Sequence, residues 1–219
     1  MFSQEWEECY AKNTHMSIWP WSDLVSLVYR IANTGSPKSV LELGCGAGAN
    51  VPLFLKLGID YTGMEGSESI VSSLKQIYAA ATCKFICCDF TDTKFDCSYD
   101  LVVDRAALTH NKTISIKRTL ANLSHASISG TKFVGVDWFS TEHSDFLQGE
   151  YVDENTRSNI TTGQFVGTGT VHFSDKQHIL DLLGEAGFVV ESMQHKVVKS
   201  HVPNSDHVFA AWNFVAVKV

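Results

Sequence analysis

The chain is predicted to fold as one α/β domain, a three-layer sandwich around a mostly parallel seven-stranded sheet that ends in an antiparallel hairpin. Three observations carry this. Short apolar runs alternate with helical stretches through the middle of the 219 residues, as a parallel sheet covered on both faces requires. The first run breaks into glycines at alternate positions, in "VLELGCGAGAN" (40–50). The C-terminal end leaves the alternation, with one helix and then two long strand runs that can pair antiparallel.

Taken in order, residues 1–38 read as a helical leader. Beyond Trp6, Tyr10 and Trp19, Pro20 and Ser22 open a helical pattern whose apolar residues Leu24, Val28 and Ile31 fall at i, i+4 and i+7, closing at Gly35. The core, 39–139, holds strand runs at 39–43, 61–65, 83–88, 99–104 and 131–139. Helical stretches at 50–57, 67–80 and 112–126 are each long enough for a crossover. Residues 140–173 form a long polar insertion with Tyr151, Arg157, Phe165 and four glycines, and a loop of that length is usually functional or disordered. In 174–219, Ser174 and Gln177 make a capping-box pattern before Ile179, Leu182 and Leu183. Strand runs follow at 188–198 and 207–218. In the last, both alternating sets of residues are largely apolar, which places it inside the sheet rather than at its edge.

Composition narrows the function classes. A formal charge of −7, with no dense Lys/Arg cluster, argues against nucleic acid as substrate. The first residues lack the basic end and apolar stretch of a signal peptide, and no run approaches a membrane span, so a soluble cytoplasmic protein without membrane contact is expected. The six cysteines follow no disulfide or zinc spacing and read as buried free thiols.

Glycines 44, 46 and 48, after a strand and before a helix, let the backbone turn tightly and approach a ligand closely. Glu65 ends the next strand, where an acid can accept hydrogen bonds from ribose hydroxyls. "GCGAGA" also satisfies a dinucleotide fingerprint, so a nicotinamide-dependent oxidoreductase stays open beside other nucleotide ligands. Each residue has a plainer reading too: Glu42 as a cap on nearby backbone, Asp89 as the start of a turn with Thr91, Phe90 as core.

The motifs in sequence resemble a known family. "VLELGCGAG" resembles the first motif of class I S-adenosylmethionine-dependent methyltransferases, with their Rossmann-like fold. "GMEGS" is similar to their second motif, "CCDF" to their adenine-binding segment and "YDLVVDRAALTH" to their fourth. The resemblance implies S-adenosylmethionine as cofactor. It places Glu42, Gly44, Cys45, Gly46 and Gly48 along the methionine part, Glu65 with Gly66 and Ser67 at the ribose, and Asp89 and Phe90 at the adenine; Asp104 joins them at the end of the fourth strand. An acid at Glu42 favours this cationic cofactor and would repel a pyrophosphate.

The loop after the fourth strand lies at the reactive end. A hydroxyl acceptor needs a base there, whereas a thiol needs far less help. His110, His143 and Asp104 are the candidates. His110 also reads as a cap for the following helix, and Asp104 with Arg105 as an ion pair. "DRAAL" resembles the corresponding stretch of thiopurine S-methyltransferases, whereas "WPWSDLV" and "DWFSTEHSD" are similar to bacterial class I methyltransferases linked to surface-polysaccharide sugars. Small-molecule O-methylation of a sugar-like hydroxyl is therefore expected, with S-methylation or a non-catalytic cofactor sensor as alternatives. The leader and 140–173 would cover the acceptor. Asp104 and Asp137 could approach each other, but nothing beyond them completes a metal site, so none is expected.

Overall fold

A computed structural model describes residues 3–12, 14, 16–35, 37–95 and 98–219. Helices α1 (Gln4–Ala11) and α2 (Ser22–Gly35) come first. The alternating part follows as β1 (Ser39–Leu43), α3 (Val51–Leu57), β2 (Asp60–Glu65), α4 (Glu68–Ile77), β3 (Cys83–Cys87), β4 (Leu101–Arg105), α5 (Thr113–Ala126) and β5 (Lys132–Phe139). Three short strands, β6 (Glu150–Asp153), β7 (Thr156–Ser158) and β8 (Val171–His172), precede α6 (Lys176–Glu185), β9 (Phe188–His201) and β10 (Asn204–Lys218).

The main sheet has seven strands in the order β3-β2-β1-β4-β5-β10-β9. It is parallel from β3 to β5, and β10 runs antiparallel to both β5 and β9. The chain works outward from β1 to β3 on one side and from β4 onward on the other. The crevice beyond the carboxyl ends of β1 and β4 is therefore the switch point where open α/β sheets bind ligands.

Strand periodicity divides the core into two layers. Val40 and Val103 face the side covered by Leu24 and Val28 of α2, Phe54 of α3 and Leu74 of α4. Leu41, Leu43 and Val102 face the side covered by Ile116 and Leu120 of α5 and Ile179 and Leu183 of α6. Helix ends follow local chemistry: α3 stops at Gly58, whose φ of 68° is left-handed. The Ser67 side chain caps α4 by accepting from the Ile70 N–H at 3.2 Å. As its two apolar faces require, β10 sits within the sheet, and β9 takes the edge.

Three expectations change. The cap of α6 is Asp175, which accepts the His178 N–H at 2.8 Å, while Ser174 pairs with Ser140 in an isolated bridge. The 140–173 insertion is not a bare loop: β6, β7 and β8 form a small antiparallel sheet of their own. Of the described thiols only Cys45 is buried; Cys87 is exposed on the edge strand β3, and Cys97 lies outside the described residues. Among the described residues no helix is long and apolar enough to cross a membrane.

Candidate functional site

A cavity of about 960 Å³ opens at the switch point, at the upper end of the range for small-molecule sites. The glycine loop after β1 forms one wall. Gly44, Gly46 and Gly48 all have positive φ (60°, 50° and 80°). At Gly44 a side chain would also run into the Ala107 Cβ and come within 3.5 Å of the Phe90 ring, so the loop can lie against the β4 loop only when bare. Gly48 does not line the cavity; a Cβ there would meet Leu74 at 2.6 Å, so its bareness serves the packing of α4.

Two carboxylates meet this wall. Glu42, 2% exposed, accepts from Asn50 Nδ2 at 2.7 Å and from the Tyr61 hydroxyl at 2.5 Å. Burial pushes its carboxyl up to about 7 against the lowering effect of those bonds. Glu65, at the end of β2, accepts from the backbone N–H groups of Gly46 (2.9 Å), Gly66 (2.8 Å) and Ser67 (3.0 Å), and from the Tyr10 hydroxyl at 3.3 Å. Burial raises it as well, and the backbone donors oppose the rise. The loop's amides at Gly46 and Gly66 are thus already given to a carboxylate. Asp89 makes the turn anticipated for it, its Oδ1 accepting from Thr91 N at 2.9 Å and Thr91 Oγ1 at 2.7 Å, while Asp89 and Phe90 both line the cavity.

The opposite wall is aromatic. His110, in the turn after β4, lies edge-on to Trp6 of α1 (4.8 Å between ring centroids), Phe139 (5.8 Å) and Phe165 (6.3 Å). Its Nδ1 faces the Thr170 carbonyl at 3.3 Å. A carbonyl only accepts, so Nδ1 carries the proton and Nε2 is the basic nitrogen. Arg105 stacks on Trp21, 3.6 Å from guanidinium carbon to ring centroid, and binds Asp137 at 3.0 Å. Asp137 in turn holds Lys196 at 2.5 Å, and Lys196 holds Asp23 of α2 at 2.7 Å, which fastens the leader to the sheet.

Among the residues singled out from sequence, Glu42, Gly44, Cys45, Gly46, Glu65, Gly66, Asp89, Phe90 and His110 line one cavity. Asp104, His143 and Ser67 do not. Asp104 is fully buried, accepting from Trp138 Nε1 at 2.7 Å and Leu108 N at 2.9 Å, so it braces the turn that carries His110 from behind the cavity wall. Nor does it pair with Arg105, whose bonded carboxylate is Asp137. His143 is 1% exposed and packs against the far side of the wall residue Phe165, 4.8 Å between ring centroids, with Nδ1 accepting the Asp145 N–H at 3.1 Å. Burial lowers its basicity. Sequence reasoning placed the leader's aromatics over the acceptor without foreseeing Tyr10 on Glu65, or Asn50 and Tyr61 on Glu42. Asn50 stands just before α3 and Tyr61 one strand away, where the β1–β2 register sets it opposite Val40, two residues from Glu42 on the same face of the sheet.

Residues 40–129 match a family model described as a methyltransferase domain. Comparison with curated proteins finds no sequence match. Among solved structures, the chain is similar to an S-adenosylmethionine-dependent methyltransferase from Methanosarcina mazei, with a TM-score of 0.71 and 14% identity over 92% of this chain and 99% of that one. It is similar to one from Clostridium acetobutylicum (TM-score 0.69, 11% identity, 96% and 99% covered). A third is the 1,6-didemethyltoxoflavin-N1-methyltransferase of Burkholderia thailandensis with bound 1,6-didemethyltoxoflavin and S-adenosylhomocysteine (TM-score 0.68, 18% identity, 99% and 86% covered). At these identities the likeness is one of fold.

Proposed function

We propose that the chain, whose residues 40–129 match a methyltransferase-domain model and whose fold is that of S-adenosylmethionine-dependent methyltransferases, is a small-molecule O-methyltransferase using that cofactor, in which His110 accepts the acceptor hydroxyl's proton. The observation that carries this reading is one cavity with two carboxylates beside a bare glycine loop at one end and a histidine among aromatic rings at the other.

The residues present fit the cofactor. Glu42 and Glu65 suit a ligand with an ammonium and a sulfonium and would repel a pyrophosphate. The amides of Gly46, Gly66 and Ser67 are spent on Glu65 and do not form an anion nest. This speaks against a nicotinamide dinucleotide in the same loop. Gly44 to Gly46 and Glu42 would hold the methionine part, Glu65 the ribose, and Phe90 a face of the adenine. Bound there, S-adenosylmethionine supplies an electrophilic methyl group whose leaving thioether is neutral.

The chain's own residues then have three tasks. The aromatic wall of Trp6, Phe139 and Phe165 offers apolar faces to a ring, whether an aromatic heterocycle or the C–H face of a sugar. α1 and the 140–173 insertion exclude water from that end. His110, its Nδ1 proton directed at Thr170, receives the hydroxyl proton at Nε2 as the new O–CH₃ bond forms. The aromatic wall also favours a second reading, methylation of a ring nitrogen; the similar Burkholderia enzyme is named as a 1,6-didemethyltoxoflavin-N1-methyltransferase. A thiol acceptor would make the base dispensable.

Single-turnover transfer from S-adenosylmethionine to a panel of hydroxyl, amine and thiol compounds tests the proposal. His110→Ala should slow O-methylation by roughly 10²-fold while leaving cofactor affinity nearly intact. A loss of only severalfold would move the reading to a nitrogen or sulfur acceptor. Cofactor binding without transfer to any compound would make the protein a sensor.

A further inference from the structure

Behind Phe165, outside the cavity, three side chains of metal-ligand type converge from two distant parts of the chain. His143 and Asp145 flank the turn after β5, and His207 comes from the start of β10, 62 residues beyond Asp145. One donor atom from each lies within 4.8 Å of the others. Asp145 Oδ1 is 3.1 Å from His207 Nε2 and 4.0 Å from His143 Nδ1. These two separations bracket the roughly 3.3 Å between donors of a tetrahedral ion bound at about 2.0–2.1 Å.

The groups around the cluster are arranged as supports. Asp145, fully buried, has its other oxygen, Oδ2, held by the backbone N–H groups of Gln164 at 2.7 Å and Phe165 at 3.2 Å, which leaves Oδ1 directed at the two imidazoles. His143 Nε2 meets Gln164 Oε1 at 3.4 Å, which makes Nε2 the protonated nitrogen; the Nδ1 lone pair accepts the Asp145 N–H at 3.1 Å, and a bound ion would take that donor's place. Close by, Val208 N–H donates to Ser144 Oγ at 2.8 Å, so the two chain segments are already joined there. His207 is a third exposed, whereas His143 and Asp145 are buried.

We propose that His143, Asp145 and His207 bind one zinc(II) ion, with water completing the coordination. Two imidazoles and a carboxylate are a donor set suited to zinc. The ion would fasten the 140–173 insertion to β10 and set the wall formed by Gln164 and Phe165. The inference stands apart from the identity of the methyl acceptor and from the cofactor.

The test is calorimetric titration of chelator-treated, tag-free protein with zinc chloride, alongside thermal unfolding with and without the metal. Wild type should bind one zinc per chain at micromolar or lower concentration and unfold at a higher temperature when loaded. His207→Ala, on a partly exposed side chain, should remain folded by circular dichroism, weaken binding at least tenfold and lose the thermal shift. Asp145→Asn should weaken it too. No stoichiometric binding by wild type, or equal binding by a folded His207→Ala, would overturn the proposal and leave the three residues as a hydrogen-bonded brace in which His207 donates to Asp145 and His143 accepts its N–H.

Discussion

Replacing Asp104 separates a bracing role from a chemical one. Its two oxygens accept from Trp138 Nε1 and from Leu108 N, and all three residues are fully buried. In Asp104→Ala both donors lose their partner where no water reaches, at about 1–3 kcal/mol each, or about 2–6 kcal/mol together. That is a large part of the roughly 5–15 kcal/mol that holds an ordinary domain folded. Asp104→Asn keeps one acceptor and turns an N–H₂ toward the other donor, so about half the loss is expected at pH 5. Burial pushes the Asp104 carboxyl up to about 7, against near 4 in an unfolded chain. Between those values the native state keeps a proton that the unfolded chain has released. The group's contribution to stability is therefore full below about pH 4 and is lost as pH rises through about 7, by on the order of 4 kcal/mol. The gap between wild type and Asp104→Asn should accordingly narrow from pH 5 to pH 8. Urea unfolding followed by far-ultraviolet circular dichroism measures all of this. Asp104→Ala within 0.5 kcal/mol of wild type would mean that Asp104 does not brace the turn, and a gap that widens with pH would mean that burial does not keep it protonated.

The other predictions concern the cofactor wall. A cationic ligand favours the charged form of Glu42, whose carboxyl burial holds up to about 7, so S-adenosylmethionine binding should release a proton and tighten as pH rises from 6 to 8. Calorimetry in buffers of different ionisation enthalpy reads that proton, and binding with none released would remove Glu42 from the ligand's surroundings. Gly44→Ala combines a left-handed φ of 60° with a clash on Ala107; a thermal midpoint several degrees lower and at least tenfold weaker cofactor binding are expected, whereas an unchanged midpoint would show that the loop has room. Glu65→Ala removes the acceptor for three backbone amides besides any ribose contact, so it should lower stability by about 2–5 kcal/mol as well as cofactor affinity. Matching chemical unfolding curves for that variant and wild type would mean that the glycine loop holds its shape without Glu65.

The parallel half of the fold was readable because each strand there meets its crossover at a strong local signal. β1 runs into three glycines, α3 stops at Gly58, and α4 starts at Ser67. The interior position of β10 was readable for another reason: a strand apolar on both faces needs neighbours on both sides. The insertion defeated the same reasoning because β6, β7 and β8 have only four, three and two residues, too few for any period to show. Side-chain placement divides along similar lines. Glu42, Glu65 and Asp89 are fixed by strand ends next to the glycine loop, and their place at the cavity follows from topology. Asp104 also ends a strand, but it points to the face where Trp138 is packed, and alternation along β4 could have told that, since Val102 shares its side. The juxtaposition of Asp145 with His207, and of Arg105 with Trp21, joins parts of the chain that only tertiary packing brings near.

If the bare loop, Glu42 and Glu65 together bind S-adenosylmethionine and not a dinucleotide, calorimetric titration of the intact protein should give one-to-one binding of S-adenosylmethionine and S-adenosylhomocysteine and no heat from NAD. Binding of NAD alone would mean that the loop holds a dinucleotide instead.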